Sequence, residues 1–257
     1  MSNPAASFLD FAGRWVVVTG ASSGLGRAIA IELARQGAGV ALVGRHRGRL
    51  DETAAQLGGA AHRIIELDLA QVDRIGAAVA ALRDDVGNLY GMCHAAGIVQ
   101  TRPLAATAPD VVRSQFEINL VAGLELARSV SRRDVMTPDG GSLLFVSSVY
   151  GRVGMPGQAG YCATKGAVAA AVRALAIELA RRKVRVNCVS PGLVHTEMTR
   201  QSLGMLSADH VQKLEAAHPL GAGTPEDVGR AAAFLLAPGS GWITGADLAV
   251  DGGYTAQ

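Results

Sequence analysis

Trp15-Val16-Val17-Val18-Thr19-Gly20-Ala21-Ser22-Ser23-Gly24-Leu25-Gly26 is the stretch whose reading decides the fold. Its apolar start, rich in β-branched valine, reads as a short buried strand. The chain then turns on glycine, and beyond the turn Leu25, Ala28, Ile29 and Leu33 recur at helical spacing until Gly37 supplies a stop. Glycines let a backbone bend sharply and approach an anion closely. A helix N-terminus adds unpaired N–H groups and partial positive charge. Gly20, Ser22, Ser23, Gly24, Leu25 and Gly26 are therefore the candidate cradle for the pyrophosphate of a dinucleotide. A glycine turn with no ligand would share this composition but has no reason to sit between a first strand and a first helix.

Outward from that stretch the alternation continues. Short apolar runs at 14–19, 39–44, 62–67, 89–94, 142–147, 184–189 and 247–250 alternate with longer helical patterns, among them Val168, Val172, Leu175 and Leu179. This predicts right-handed βαβ crossovers and a single α/β domain over 1–257. It is a Rossmann-type, doubly wound fold, with a seven-stranded parallel sheet and helices on both faces. A composition of 49% hydrophobic and 18% charged residues suits a sheet buried on both sides. A net charge of +2 gives no general field for nucleic acid or an anionic membrane, so neither partner is expected. Cys93, Cys162 and Cys188 are too few and too widely spaced for a disulfide framework. No two histidines stand at i, i+4, as a helical metal pair would require, and no metal is expected. With no bilayer-length apolar run and no basic head leading into an apolar leader, the expected location is the cytoplasm.

At the end of the second run the sequence is Leu42-Val43-Gly44-Arg45-His46-Arg47. An enzyme using NAD is expected to place a carboxylate there for the ribose 2′-hydroxyl. Arg45 and Arg47 instead offer guanidinium forks suited to the 2′-phosphate of NADP, although two solvated arginines at a helix start would read the same. Asp68, closing the third run, could accept from the adenine amino group or cap a helix. Gly20-Ala21-Ser22-Ser23-Gly24 also satisfies the G-x-S-x-G elbow of serine hydrolases, with Ser22 as nucleophile, but that elbow needs several strands before it.

Ser147-Ser148-Val149-Tyr150-Gly151 is followed by Tyr161-Cys162-Ala163-Thr164-Lys165 at the head of an apolar-faced helix. Four residues apart, Tyr161 and Lys165 share a helix face, so an ammonium can favour the ionised phenol. A serine hydroxyl from the strand end could hold a substrate oxygen. Strand alternation sends Ser147 and Ser148 to opposite faces, so only one can do so.

With these motifs the chain resembles the short-chain dehydrogenase/reductase family over essentially its whole length. The resemblance rests on Thr19-Gly20-x-x-x-Gly24-x-Gly26, Asn119, Ser148-Val149-x-Gly151, Tyr161-x-x-x-Lys165, Pro191-Gly192 with Thr196, and Asp251-Gly252-Gly253. It implies Tyr161 as general acid in reduction and base in oxidation, and Ser148, chosen by motif register, as the residue orienting the carbonyl. Lys165 would bind the nicotinamide ribose and lower the tyrosine pKa, and Asn119 would support a proton-supplying water chain. Asp68 and Leu69, with Ala96 and Gly97, would border the adenosine side; Pro191, Gly192, Val194 and Thr196 would border the nicotinamide. One departure stands out, His94-Ala95-Ala96-Gly97 where the family commonly carries Asn-Asn-Ala-Gly. Altered cofactor affinity is expected from it, with His94 structural.

The resemblance further implies an apolar substrate pocket from the loops at 98–104, 149–155 and 195–206. Tyr150, Met155 and Met198 are candidate contacts there, with Val153, Leu203, Met205 and Leu206, and 195–218 acts as a lid. It implies a small carbonyl or alcohol substrate and a homotetramer, and with Arg45 and Arg47 at the end of the second run the expected cofactor is NADP(H). Two other readings stay open: a catalytically idle nucleotide-binding scaffold, and the hydrolase using Ser22. The substrate, with 3-oxoacyl thioesters the nearest likeness, is not readable from these residues.

Overall fold

The computed structural model describes residues 8–204 and 207–257. Strand β1 (Trp15–Thr19) leads into helix α1 (Gly24–Arg35), and β2 (Gly39–Gly44) into α2 (Arg47–Ala54). Strand β3 (His62–Glu66) precedes α3 (Ile75–Val86), and β4 (Gly91–His94) precedes α4 (Pro109–Phe116) and α5 (Ala122–Val130). Strand β5 (Gly141–Val146) leads to α6 (Ala159–Leu179), and β6 (Val184–Pro191) to α7 (Glu197–Leu203), α8 (Ala208–Ala216) and α9 (Pro225–Leu236). Strand β7 (Asp247–Val250) closes the sheet.

All pairings are parallel, in the order β3-β2-β1-β4-β5-β6-β7. The sequence alternates along each strand to feed both layers. Val17, Ala41, Val43, Met92, Leu143, Phe145 and Val186 face the core under α3, α5 and α6. Val16, Val18, Val40, Leu42, Cys93, Leu144 and Val189 face the one under α1 and α9. Several boundaries differ from the sequence expectation by a residue or two. Pairing in β4 begins at Gly91 because Leu89 bridges to Met136 instead, and β5 ends at Val146, leaving both serines outside the strand. No helix among the described residues is long and apolar enough to cross a membrane.

The chain reverses its winding direction between β1 and β4, and the carboxyl ends of the strands open a crevice there. Gly20 makes the close approach possible. With φ +66°, a Cβ added to it would lie 2.9 Å from the Ala96 backbone, so the loops after β1 and β4 meet only because no side chain intervenes.

Candidate active site

A cavity of about 470 Å³ runs along that crevice. Its floor is the β1–α1 turn, Gly20 and Ser22 to Gly26. Arg27 on α1 holds the turn from behind, donating to Ser22 O at 2.7 Å and to Thr53 Oγ1 at 3.0 Å, and Thr53 Oγ1 in turn donates to Ala21 O. A Cβ on Gly26 would sit 2.3 Å from Gly20 O, so helix and loop pack with no room for a methyl group. A glycine cradle of this kind, opening the first helix, fits a pyrophosphate.

One wall comes from the ends of β2 and β3. Gly44, Arg45, His46 and Arg49 line it, with Leu67, Asp68, Leu69 and Ala70. Arg47 is not in the lining. It is exposed and bonds to Asp51 one turn along α2 at 3.0 Å. Arg49 takes a place in the wall that sequence reasoning had not given it, and it pairs with Glu197 at the start of α7 across the mouth. Asp68 accepts from the Ala70 N–H at 3.0 Å, so it shapes its own turn while lining the cavity.

After β4, Ala95, Ala96, Gly97 and Ile98 continue the wall. His94 lies beneath them, fully buried. Its Nε2 donates to Ile118 O at 3.0 Å, which leaves Nδ1 as acceptor for the Thr19 hydroxyl at 3.0 Å. Thr19 Oγ1 then accepts from the N–H groups of Ala95 and Ala96. Burial, with the Lys165 charge added, pushes the His94 pKa down to about 4, so the ring is neutral. Here histidine organises the loop. Asn119 sits in a single π-helical turn, Glu117–Val121, that joins α4 to α5. Its Oδ1 accepts from Ile98 N at 2.8 Å, and its Nδ2 donates to Ile98 O and to Thr164 Oγ1, both at 3.0 Å. Asn119 therefore braces the loop and α6 from outside the lining.

The far end is built by β5 and α6. Ser148 Oγ accepts from Tyr150 N, capping the turn at Val149–Gly151. Ser147 Oγ donates to Lys165 O at 2.9 Å, so the two hydroxyls do diverge. Lys165 Nζ donates to Val146 O at 2.8 Å and lies 5.6 Å from the centre of the Tyr161 ring. Ser148, Tyr161 and Lys165 all line the cavity. The expected lowering of the Tyr161 pKa is not a property of the polypeptide alone. Burial pushes the phenol up to about 12, and a hydrogen bond with Ser148 offsets only part of this. Burial also pushes Lys165 down to about 8.

Pro191, Gly192, Val194, Thr196 and Met198 complete the lining after β6. Thr196 and Thr199 exchange backbone-to-hydroxyl bonds, a reciprocal cap at the head of α7. Tyr150 and Met155 are outside the lining, while Met205, Leu206 and the Leu203 side chain are outside the described residues. The hydrolase reading of Ser22 fails on topology, because its elbow follows the first strand of the sheet rather than a later one.

A family model described as enoyl-(acyl carrier protein) reductase matches residues 20–255. A 2-(S)-hydroxypropyl-CoM dehydrogenase of Xanthobacter autotrophicus is 37% identical, over 94% of this chain and 96% of its own. The human 3-oxoacyl-[acyl-carrier-protein] reductase is 37% identical over 92% of this chain and 95% of its own. A structure from Beutenbergia cavernae, described as an NAD(P)-dependent gluconate 5-dehydrogenase with NADP bound at low occupancy, superposes with a TM-score of 0.89. It is 34% identical and matches 98% of this chain and 100% of its own.

Together the parallel sheet, its switch-point crevice and the Ser–Tyr–Lys group define a nicotinamide-dependent oxidoreductase acting between alcohol and carbonyl groups. The chain belongs to the short-chain dehydrogenase/reductase family.

Proposed function

We propose that the protein is an NADP(H)-dependent reductase of a small ketone, with a 3-oxoacyl thioester, a sugar or another small carbonyl compound as substrate. One observation carries the reading. A single cavity has Ser148, Tyr161 and Lys165 at one end, the glycine cradle along its floor, and Arg45, His46 and Arg49 on the opposite wall. Guanidinium groups there suit a 2′-phosphate, and Gly44 places no carboxylate against it. Arg47, turned toward Asp51, drops out of that set, and Arg49 takes its place.

Ser148 holds the carbonyl oxygen and Tyr161 donates the proton to it. A phenol held near 12 stays protonated at neutral pH, which suits an acid role in reduction. Lys165 binds ribose hydroxyls from its site on Val146 O, and Asn119 keeps the Ile98 loop and α6 in register. Bound at this site, the reduced cofactor supplies the hydride. Leu69, Ala96 and Gly97 border the adenosine side, and Pro191, Gly192, Val194 and Thr196 the nicotinamide side. Met198 lines the cavity and is the substrate contact of this reading, whereas Tyr150 and Met155 lie outside the lining. The segment 195–218 serves as the lid. A homotetramer in the cytoplasm belongs to the same reading.

The test is the affinity of the purified protein for NADPH and NADH side by side, followed by turnover with a ketone panel. Preference for NADPH, lost in Arg45→Ala, is expected. Tyr161→Phe is expected to retain cofactor binding and lose about 100-fold or more in turnover. Equal affinities would defeat the 2′-phosphate assignment, and binding without any turnover would favour an idle scaffold.

A further inference from the structure

His218 ends the segment 195–218 and takes no part in the chemistry above, yet it is 4% exposed and all its polar atoms are engaged. Its Nδ1 lies 2.8 Å from Leu214 O on α8. A carbonyl only accepts, so Nδ1 carries the hydrogen and Nε2 presents a lone pair. That lone pair receives the Leu193 N–H at 3.0 Å. The ring stacks on Tyr254 at 4.6 Å, with 14° between the planes. Tyr254 is held in turn by the C-terminal turn in which Asp251 accepts from the N–H groups of Gly253 and Thr255.

The loop that His218 grips runs from Pro191 to Thr196, the wall assigned above to the nicotinamide. Elsewhere this loop is fixed by main-chain bonds, Gly192 N to Val250 O, His195 N to Gly223 O and Gly223 N to Leu193 O. Two N–H groups of the loop donate to side chains: Thr196 to its neighbour Thr199 in the head of α7, and Leu193 to a ring from the far end of the lid. Gly192 makes room for it. A Cβ there would lie 2.9 Å from His218 Nε2 and 2.9 Å from Asp251 Cα. One imidazole thus joins the end of α8, the loop after β6 and the C-terminal turn.

We propose that His218 is a positioning residue for the nicotinamide half of the cofactor, holding the Gly192–Val194 backbone through Leu193 N–H and tying it to the end of the lid. This rests on the assignment of the cavity to a nicotinamide dinucleotide. His218 leaves the adenosine half alone, because the Gly20–Gly26 cradle and the Arg45 wall belong to other elements.

The experiment measures dissociation constants of the full-length protein for two probes. One is whichever of NADPH and NADH binds better. The other is that cofactor's adenosine fragment, adenosine 2′,5′-bisphosphate or AMP. His218→Leu keeps the bulk and removes the acceptor. It is expected to weaken the whole cofactor about tenfold, the effect of orphaning one buried N–H, with the fragment within about twofold of native. His218→Gln, which returns an acceptor oxygen, is expected to recover most of the loss. Unchanged binding of both probes by His218→Leu overturns the proposal, and so does equal weakening of both, the mark of a general structural defect. Should the leucine variant not fold, His218→Phe, which keeps a ring against Tyr254 and offers no acceptor to Leu193 N–H, decides by the same readout. Weakening confined to the whole cofactor supports the proposal, and unchanged binding of both probes overturns it. Native protein that binds neither NADPH nor NADH defeats the underlying assignment, and this inference with it.

Discussion

Replacing Lys165 by methionine separates what its ammonium does in the site from what its burial costs the fold. Lys165 is 4% exposed, and burial pushes its pKa from the ordinary 10.5 down to about 8. Between those two values the unfolded chain holds a proton that the folded chain has released. Stability therefore rises with pH across that window, and the whole penalty stands below pH 8. At about 1.4 kcal/mol per pH unit, the full penalty is about 3 kcal/mol. Methionine removes the charge but leaves Val146 O without its donor, a cost of about 1–3 kcal/mol that does not vary with pH. The pH dependence isolates the charge from that constant. In denaturant titrations at about pH 7.5 and about pH 9.5, the unfolding free energy of the native protein minus that of Lys165→Met should rise by about 2 kcal/mol. Tyr161 is present in both proteins and cancels. A difference that stays flat would refute the reasoning, because it would mean the ammonium is as well solvated in the fold as outside it.

Gly26→Ala forces a methyl group against Gly20 O. It should destabilise the protein by about 1–3 kcal/mol and weaken cofactor binding about tenfold, measured by thermal melting and titration. Arg185 spreads its guanidinium over the carbonyls of Leu235, Leu236 and Ala237, where α9 ends. Arg185→Lys loses that fork and should lower the melting temperature by about 3–10 °C while cofactor affinity holds, since the site is remote from the cavity.

The sheet was legible because its punctuation is in the sequence. Gly39 and Gly44 bracket a run of four apolar residues, and β2 begins and ends on them. Boundaries slipped where hydrophobicity outran pairing, as at Leu89, which is buried but bonds outside the sheet. The Ser–Tyr–Lys group was visible because two of its members share one helix face and the third follows closely on a strand end. Arg47 and Arg49 were harder to separate. The helix begins at Arg47, so the two point about 200° apart, one toward Asp51 and one into the cavity. Nothing in the local pattern marks which is which without the helix start. The role of His218 was equally hidden, since its partners Leu193 and Tyr254 are brought together only by the closed sheet.

The π turn at Glu117–Val121 reads as an insertion of one residue into an otherwise continuous α4–α5 rod. Deleting one residue there would let the rod close into regular α-helix, drawing in the widened turn that carries Asn119. Asn119 would then lose Ile98, Thr164 or both. A shortened chain of this kind would gain helical regularity and forfeit the brace, so relatives that keep the reaction should show gaps elsewhere in this region but not within these five positions.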